Sequence, residues 1–302
     1  MFNTEPETRC GFYINKDRKL LWEVELKVFS EFQKICEENN LTYFLIGGSA
    51  IGAVRHQGFI PWDDDLDIGM PRADFEKLLT LKDEFPQTIH LQYGLDVEKK
   101  EFHHFCRLRD VNSTGIIREQ YKRKCVHGIF IELYPFDNVP ANRCLRKIQW
   151  SISHALIEIM YNRVYLEKIE GKAKYIDVLL KPIPTLPIFS IWRFVCSFFN
   201  RFKTKMVDTV SLPNYSPSEV DFFFAEDIKD TYIVKFEDVH VCLPIGNDRC
   251  LRKTYGDYMQ LPPVEKRGTH HNTEVLYDPH KKYTEYSMED VERYFTQRLL
   301  QK

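Results

Sequence analysis

Four carboxylates in five residues, Asp63, Asp64, Asp65 and Asp67, stand shortly after a glycine turn, Gly47-Gly48-Ser49. A glycine turn lets backbone N–H groups approach a phosphate closely. Alternating carboxylates on a strand can hold a hard divalent cation through oxygen. Together they point to metal-assisted phosphoryl transfer. Asp65-Leu66-Asp67-Ile68 alternates polar and apolar, the period of a half-buried strand. The alternation predicts Leu66 and Ile68 facing the core, Asp63, Asp65 and Asp67 on the opposite face, and Asp64 pointing away. A solvated acidic turn after Pro61-Trp62 is the bland alternative. The glycine turn upstream and the interleaved apolar residues favour the metal–phosphate reading.

Such a site usually takes another carboxylate from a neighbouring strand. Ile131-Glu132-Leu133 offers Glu132, flanked by apolar residues as an acid facing a cleft should be. The solvent face of an edge strand would look the same, and Asp137 competes for the role. Cations are needed for the transferred charge. Arg55, between the turn and the acids, is the best phosphate-binding candidate, and His56 beside it either assists or packs. Arg107, Arg109 and Arg118 are further candidates, most of them expected to be surface or ion-pair residues. Lys266, Arg267 and His270 lie in a loop that could close over a substrate. The pairs His103-His104 and His270-His271 are too isolated to read as metal ligands.

The elements that must position these groups are legible from periodicity. Lys16 to Glu38 reads as an amphipathic helix, with Leu20, Leu21, Val24, Val28, Phe32 and Ile35 near helical spacing. Leu41 to Ile46 is an apolar strand leading into the turn. Ser49 to Arg55 reads as a helix whose N-terminus sits at that turn. The acidic strand follows, then a helix over Arg72 to Leu81. Ile89–Tyr93, Phe102–Leu108, Thr114–Arg118 and Gly128–Leu133 read as strands. Strands that alternate with helices and then run consecutively predict an α+β fold, a mixed sheet backed by helices. Three regions follow: a catalytic core with its N-terminal helix over 1–140, a helical insertion over 141–235, and a segment over 236–302 that completes the site. The last holds the strand-like VHVCLPI, the helix NDRCLRKTYGDYM and a final helix over Glu289–Leu300.

With 302 residues and 43% hydrophobic content the chain can bury a full core. A net charge of -2 offers no general field for nucleic acid. Eight cysteines are scattered without a CxxC or a zinc spacing, which predicts reduced thiols. The N-terminus lacks an apolar signal region, so a cytoplasmic setting is expected. Residues 181–205, KPIPTLPIFSIWRFVCSFFNRFKTK, combine apolar and aromatic residues with five basic ones and no acid. Prolines and Arg193 break the stretch too often for it to span a bilayer. It reads either as a buried helix or as an interfacial helix meeting an anionic membrane.

The stretch GGSAIGAVRHQGFIPWDDDLDIGMPRADFEKL resembles the signature of the LicD family. RLRDVNSTGI at 107–116, HGIFIELYPFDNVP at 127–140 and YGDYMQLPP at 255–263 resemble its later blocks, in order. The resemblance covers roughly residues 20–275 and extends more distantly to the fukutin-related proteins. It implies a nucleotidyltransferase-like sheet with a mainly helical C-terminal part. That fold's glycine turn, Dh[DE]h and h[DE]h motifs fall on Ile46-Gly47-Gly48, Asp65-Leu66-Asp67-Ile68 and Ile131-Glu132-Leu133. The gap between the first two is longer than in many members of the fold. The family often has Asp where Glu132 stands.

The implied chemistry is transfer of a phospho-alcohol, phosphocholine above all, from a CDP-linked donor such as CDP-choline to a sugar hydroxyl. The implied acceptors are cell-surface glycans: lipopolysaccharide, teichoic acid or capsule. Such glycans are often assembled on lipid at the inner face of the cytoplasmic membrane, where 181–205 would fit a peripheral contact. Asp65, Asp67 and Glu132 would hold Mg²⁺ (or Mn²⁺), with Glu132 as third ligand or as base to the acceptor. Gly47, Gly48 and Ser49 would bind the diphosphate, and Arg55 and His56 would serve the transferred group. Two rival readings stay open: a nucleotidyltransferase acting on a small molecule, and a non-catalytic nucleotide-binding module in glycan assembly.

Overall fold

The computed structural model describes residues 2–165, 173–202, 204–210, 223–268 and 275–299. A short hairpin, β1 (Glu7–Arg9) and β2 (Phe12–Ile14), precedes the long helix α1 (Lys16–Asn39). Asn15 caps α1 by accepting from the Arg18 N–H at 3.0 Å, and Asn40 ends it in the left-handed region at φ 51°. Leu21, Trp22, Leu26, Phe29, Phe32 and Ile35 form its buried stripe.

Next come β3 (Phe44–Leu45), α2 (Gly47–Ile51), a π turn over Gly52–His56, β4 (Asp67–Pro71) and α3 (Arg72–Thr80). Strands β5 (Ile89–Asp96), β6 (Glu101–Asp110), β7 (Thr114–Ile117) and β8 (Phe130–Val139) follow. Helices α4 (Arg143–Tyr165), α5 (Ala173–Leu180) and α6 (Thr185–Ser197) form the helical region. The chain returns through β9 (Met206–Asp208), β10 (Phe223–Phe224), β11 (Thr231–Phe236), β12 (Val239–Pro244), α7 (Asn247–Tyr255), β13 (Val275–Asp278) and α8 (Met288–Leu299).

The result is the α+β fold that the sequence predicts, with a mixed seven-stranded sheet. Strand β8 is its hub. One edge pairs parallel with β4; the other pairs antiparallel with β6 and then with β9. Strand β3 closes the far side against β4, Leu45 opposite Ile68. Two strands are shorter than apolar content suggests: of the predicted Leu41–Ile46 only Phe44–Leu45 pairs, and Asp63 to Asp65 form a loop before β4 rather than part of it, whereas β5, β6 and β8 run past the predicted ends at Tyr93, Leu108 and Leu133. Leu66 and Ile68 are fully buried, as the alternation requires.

The main core joins α1, β3, β4 and β8 to Phe236, Val241, Leu243 and Leu251 of the C-terminal part. A second core lies between β6 and the helical region, built on Phe102, Ile157, Met160, Ile188 and Trp192. Helix α6 buries Ile188, Phe189, Trp192 and Cys196 there and leaves Leu186, Ile191 and Phe194 exposed, so the helix within 181–205 is buried on one face only. Among the described residues no helix is long and apolar enough to cross a membrane. All eight cysteines are free thiols.

Candidate active site

The parallel register of β4 and β8 sets Asp67 directly opposite Glu132. Side chains alternate across a strand, so paired residues of neighbouring strands share a face. Both acids open into one cavity of about 730 Å³, within the range of small-molecule sites, together with Asp65, Gly47 and Gly48. The glycine turn sits over Asp67. Gly47 has φ +56°, and a Cβ there would lie 3.7 Å from Asp67 Oδ2. A Cβ on Gly48 would lie 2.7 Å from Asp63 Oδ2, so any side chain there would displace the Asp63 carboxylate. Ser49 is buried, and its Oγ accepts from the Asp67 N–H at 2.8 Å. The Ser49 side chain therefore ties α2 to β4, and Ser49 does not line the cavity.

The acid loop is clamped from behind. Arg18 Nη1 and Trp22 Nε1 of α1 donate to the Asp63 carbonyl at 2.5 and 3.1 Å. That clamp turns the Asp63 side chain onto the turn and towards Asp65. Burial, then Asp65 and Asp64, lift the Asp63 carboxyl well above the usual range. Burial, then Asp65, Glu132 and Asp63, do the same to Asp67, against a smaller pull from Arg107. Asp67 Oδ1 is buried and has no hydrogen-bond partner. A buried carboxylate oxygen without a partner, among three other acids, fits a cation.

Among the described residues no three Asp, Glu, His or Cys side chains converge into a closed metal cage. Mg²⁺ commonly takes one or two carboxylates and completes its shell with water and substrate phosphates. The donor set at the turn suits that open mode, in which Asp65 and Asp67 could supply the protein oxygens.

Glu132 is held on both oxygens. Arg107 Nε donates to Oε1 at 2.7 Å, and the Tyr134 hydroxyl donates to Oε2. Arg107 lies on β6 opposite Glu132 in register and packs its guanidinium between the rings of Phe105 and Phe130, at 4.7 and 4.8 Å. It is the cation that the structure brings to Glu132 and Asp67. Arg55 is turned elsewhere: its Nη1 donates to the Tyr258 and Gln260 carbonyls at 2.5 and 3.3 Å, and its Nε to His56 at 2.9 Å. Neither Arg55 nor His56 lines the cavity. Burial, with Arg55 beside it, holds the His56 imidazole down at about 4, and its ring packs edge-on against Trp62.

The remaining sequence candidates have structural positions. Asp137 lies farther along β8, fully buried, where it accepts from Arg72 Nε and Nη2 at 2.8 and 2.6 Å and from Asn200 at 2.7 Å. Arg109 is also fully buried and donates to Gln92 and to the Gly128 carbonyl, and burial, with Arg107 beside it, brings it down to about 9. Arg118 and Lys266 are exposed, and Arg267 donates to the Pro262 and Cys10 carbonyls. His103 and His104 are buried, with His104 Nδ1 bonded to the Tyr161 hydroxyl at 3.0 Å. His270 and His271 lie outside the described residues.

Sequence reasoning left out several groups at the site. Tyr134 lines the cavity beside Glu132, and its signal was the same period of two along β8. Tyr255 of α7 and Tyr277 of β13 line the cavity from far along the chain, with no local signal of their own. Glu25, 1% exposed, faces Asp63, Asp64 and Asp65 from α1; burial, then those acids, raise its carboxyl strongly. An acid on the apolar stripe of α1 was the cue for it.

Residues 40–166 match the LicD/FKTN/FKRP, nucleotidyltransferase domain family. The chain is 25% identical over 264 residues to the lipopolysaccharide cholinephosphotransferase LicD of Haemophilus influenzae, covering 83% of this chain and 94% of that protein. It is 31% identical over 177 residues to an uncharacterized protein of Rickettsia typhi, 52% of this chain and 57% of the other. It is 28% identical over 116 residues to the human ribitol 5-phosphate transferase FKRP, 38% of this chain and 20% of the relative. The matched segment runs from β3 through α4 and so contains the glycine turn, Asp67 and Glu132. Residues 40–166 of this chain therefore form a domain of the LicD/FKTN/FKRP nucleotidyltransferase family.

Proposed function

We propose that this LicD-type phosphotransferase moves a phospho-alcohol group, phosphocholine first among them, from a CDP-linked donor to a sugar hydroxyl of a cell-surface glycan. The observation that carries the reading is the register of Asp67 against Glu132 beneath the glycine turn, with a partnerless carboxylate oxygen on an acid that lines the cavity. The relatives named as cholinephosphotransferase and ribitol 5-phosphate transferase both move a phospho-alcohol, which supports the same class here.

Asp65 and Asp67 would hold Mg²⁺ or Mn²⁺, which supplies charge neutralisation on the diphosphate and on the departing CMP. The N–H groups of Gly47, Gly48 and Ser49 open α2, where a helix has no internal partner for them, and would bind the diphosphate. Arg107 neutralises charge at the transferred group, the role that sequence gave to Arg55. Glu132, bonded to Arg107 and Tyr134, would orient Arg107 beside the acids that would hold the metal. A glycan carried on lipid would bring the enzyme to the inner face of a membrane.

The test is a product assay with Mg²⁺, a panel of CDP-alcohols and nucleoside triphosphates, and crude glycolipid as acceptor. Release of CMP from one CDP-alcohol, absent in Asp65→Asn, is expected. Pyrophosphate from a triphosphate instead would make the protein a nucleotidyltransferase and overturn the proposal.

A further inference from the structure

Ten of the nineteen large hydrophobic residues exposed among the described residues fall between 143 and 202. Their arrangement is ordered. On α4, Leu145, Ile148 and Ile152 follow one another at helical spacing along a single outer face. On α5, Val178 and Leu179 are 67% and 77% exposed. On α6, Ile191 and Phe194 stand outward, one turn apart.

The inner faces of these helices are already used. Gln149 Nε2 donates to the Val195 and Cys196 carbonyls at 3.0 and 3.2 Å, and Trp192 Nε1 donates to Ser153 at 3.0 Å. The outer faces of α4 and α6 are thus left as apolar surface that nothing among the described residues covers. Water-facing helix surfaces are ordinarily polar, and a cluster of this kind marks an interaction surface.

Charge identifies the occupant. Residues 141–205 contain twelve Lys and Arg against four Asp and Glu, a net of +8 in a chain whose total is -2. Of the acids, Glu158 is bonded to His154 and Asp177 to Arg163. Arg146 is buried and Arg193 is bonded to Glu76 of α3, while Arg143, Lys147, Lys181 and Arg201 are exposed beside the apolar residues. Self-association through a two-fold axis would set this face against its own copy, charge on like charge. Exposed apolar helix faces interleaved with lysine and arginine match the boundary of an anionic bilayer, which takes the side chains into its acyl edge and the cations at its headgroups.

We infer that α4, α5 and α6 together dock the protein on an anionic lipid surface, lying in its plane. The inference widens the sequence expectation from 181–205 to a three-helix face. It stands apart from the transfer chemistry, because lipid binding is read with neither donor nor acceptor present.

The test is flotation of the full chain with vesicles of phosphatidylethanolamine and phosphatidylglycerol at about three to one, and with phosphatidylcholine alone. The protein should float with the anionic vesicles and stay behind with the neutral ones. Replacing Ile148, Ile152 and Phe194 together by Ser should lower the partition coefficient about tenfold or more at an unchanged melting temperature. If that variant fails to fold, the paired reversal Lys147→Glu and Lys181→Glu should lower binding to the anionic vesicles by a similar factor. Absence of the wild-type protein from anionic vesicles at low salt would overturn the inference. So would equal binding by the variants, or a dimer in sedimentation that the triple replacement dissociates.

Discussion

Glu132 and Asp137 lie on one strand, five residues apart, and the structure gives them opposite tasks. An odd spacing sends them to opposite faces of β8. Glu132 opens into the cavity, while Asp137 is fully buried and neutralises Arg72, itself 9% exposed. Asp137→Asn keeps the volume but leaves the buried guanidinium only the partly exposed Glu76, at 3.2 Å, as counter-charge. Breaking a buried pair in this way costs about 3–5 kcal/mol. For a chain of this size each kcal/mol moves the midpoint by about 2 °C, so a fall of about 6–10 °C is expected. Turnover per folded molecule, measured by CMP release well below the new midpoint, should stay near wild type. Glu132→Gln should behave in the opposite way. The amide still offers Arg107 an acceptor, and losing the Glu132 charge relieves its repulsion of Asp67, so the two changes offset to about 1 kcal/mol or less. Turnover should fall by about 100-fold or more, the several kcal/mol expected at a metal-assisted site. An unchanged midpoint with lost turnover in Asp137→Asn would refute the assignment. Retention of more than about a tenth of activity in Glu132→Gln would refute it equally.

Two further perturbations separate roles at the same site. Asp67 has a raised carboxyl in the fold, so its contribution to stability is intact below its unfolded value of about 3.9 and is lost as pH rises through the folded value. In chelator, the wild-type melting temperature should therefore drop more between about pH 5 and pH 8 than that of Asp67→Asn, which should be inactive; parallel profiles would remove the burial argument. Arg55→Gln should cost about 1–3 kcal/mol through its lost bonds to the Tyr258 and Gln260 carbonyls while keeping turnover, whereas Arg107→Gln should lose turnover. Thermal melts paired with the CMP assay would show whether the two arginines trade these outcomes.

The acids were legible because their signal is local. Alternation at Leu66 and Ile68 forces one face inward, and a glycine turn upstream has few other uses. Helix α1 was legible for the same reason, as its stripe repeats over six turns of one segment. The strand limits were not. Backbone pairing depends on what the partner strand offers, and β3 finds a partner for two residues only. The loop at Asp63 to Asp65 is held by Arg18 and Trp22, contacts across more than forty residues that no window can see.

The exchange of Arg55 for Arg107 shows where local reading stops. Arg55 lies between turn and acids in sequence, and proximity along the chain made it the best candidate. The π turn over Gly52–His56 rotates it outward, and two carbonyls from residues 258 and 260 then take its guanidinium. Arg107 reaches the acids only because β6 pairs with β8 in the register that sets it opposite Glu132, while β4 pairs with the other edge and sets Asp67 there. A single residue of β8 thus aligns acid and cation from two different strands. A one-residue slip of either pairing would turn Asp67 or Arg107 to the other face and dissolve the site without changing its composition.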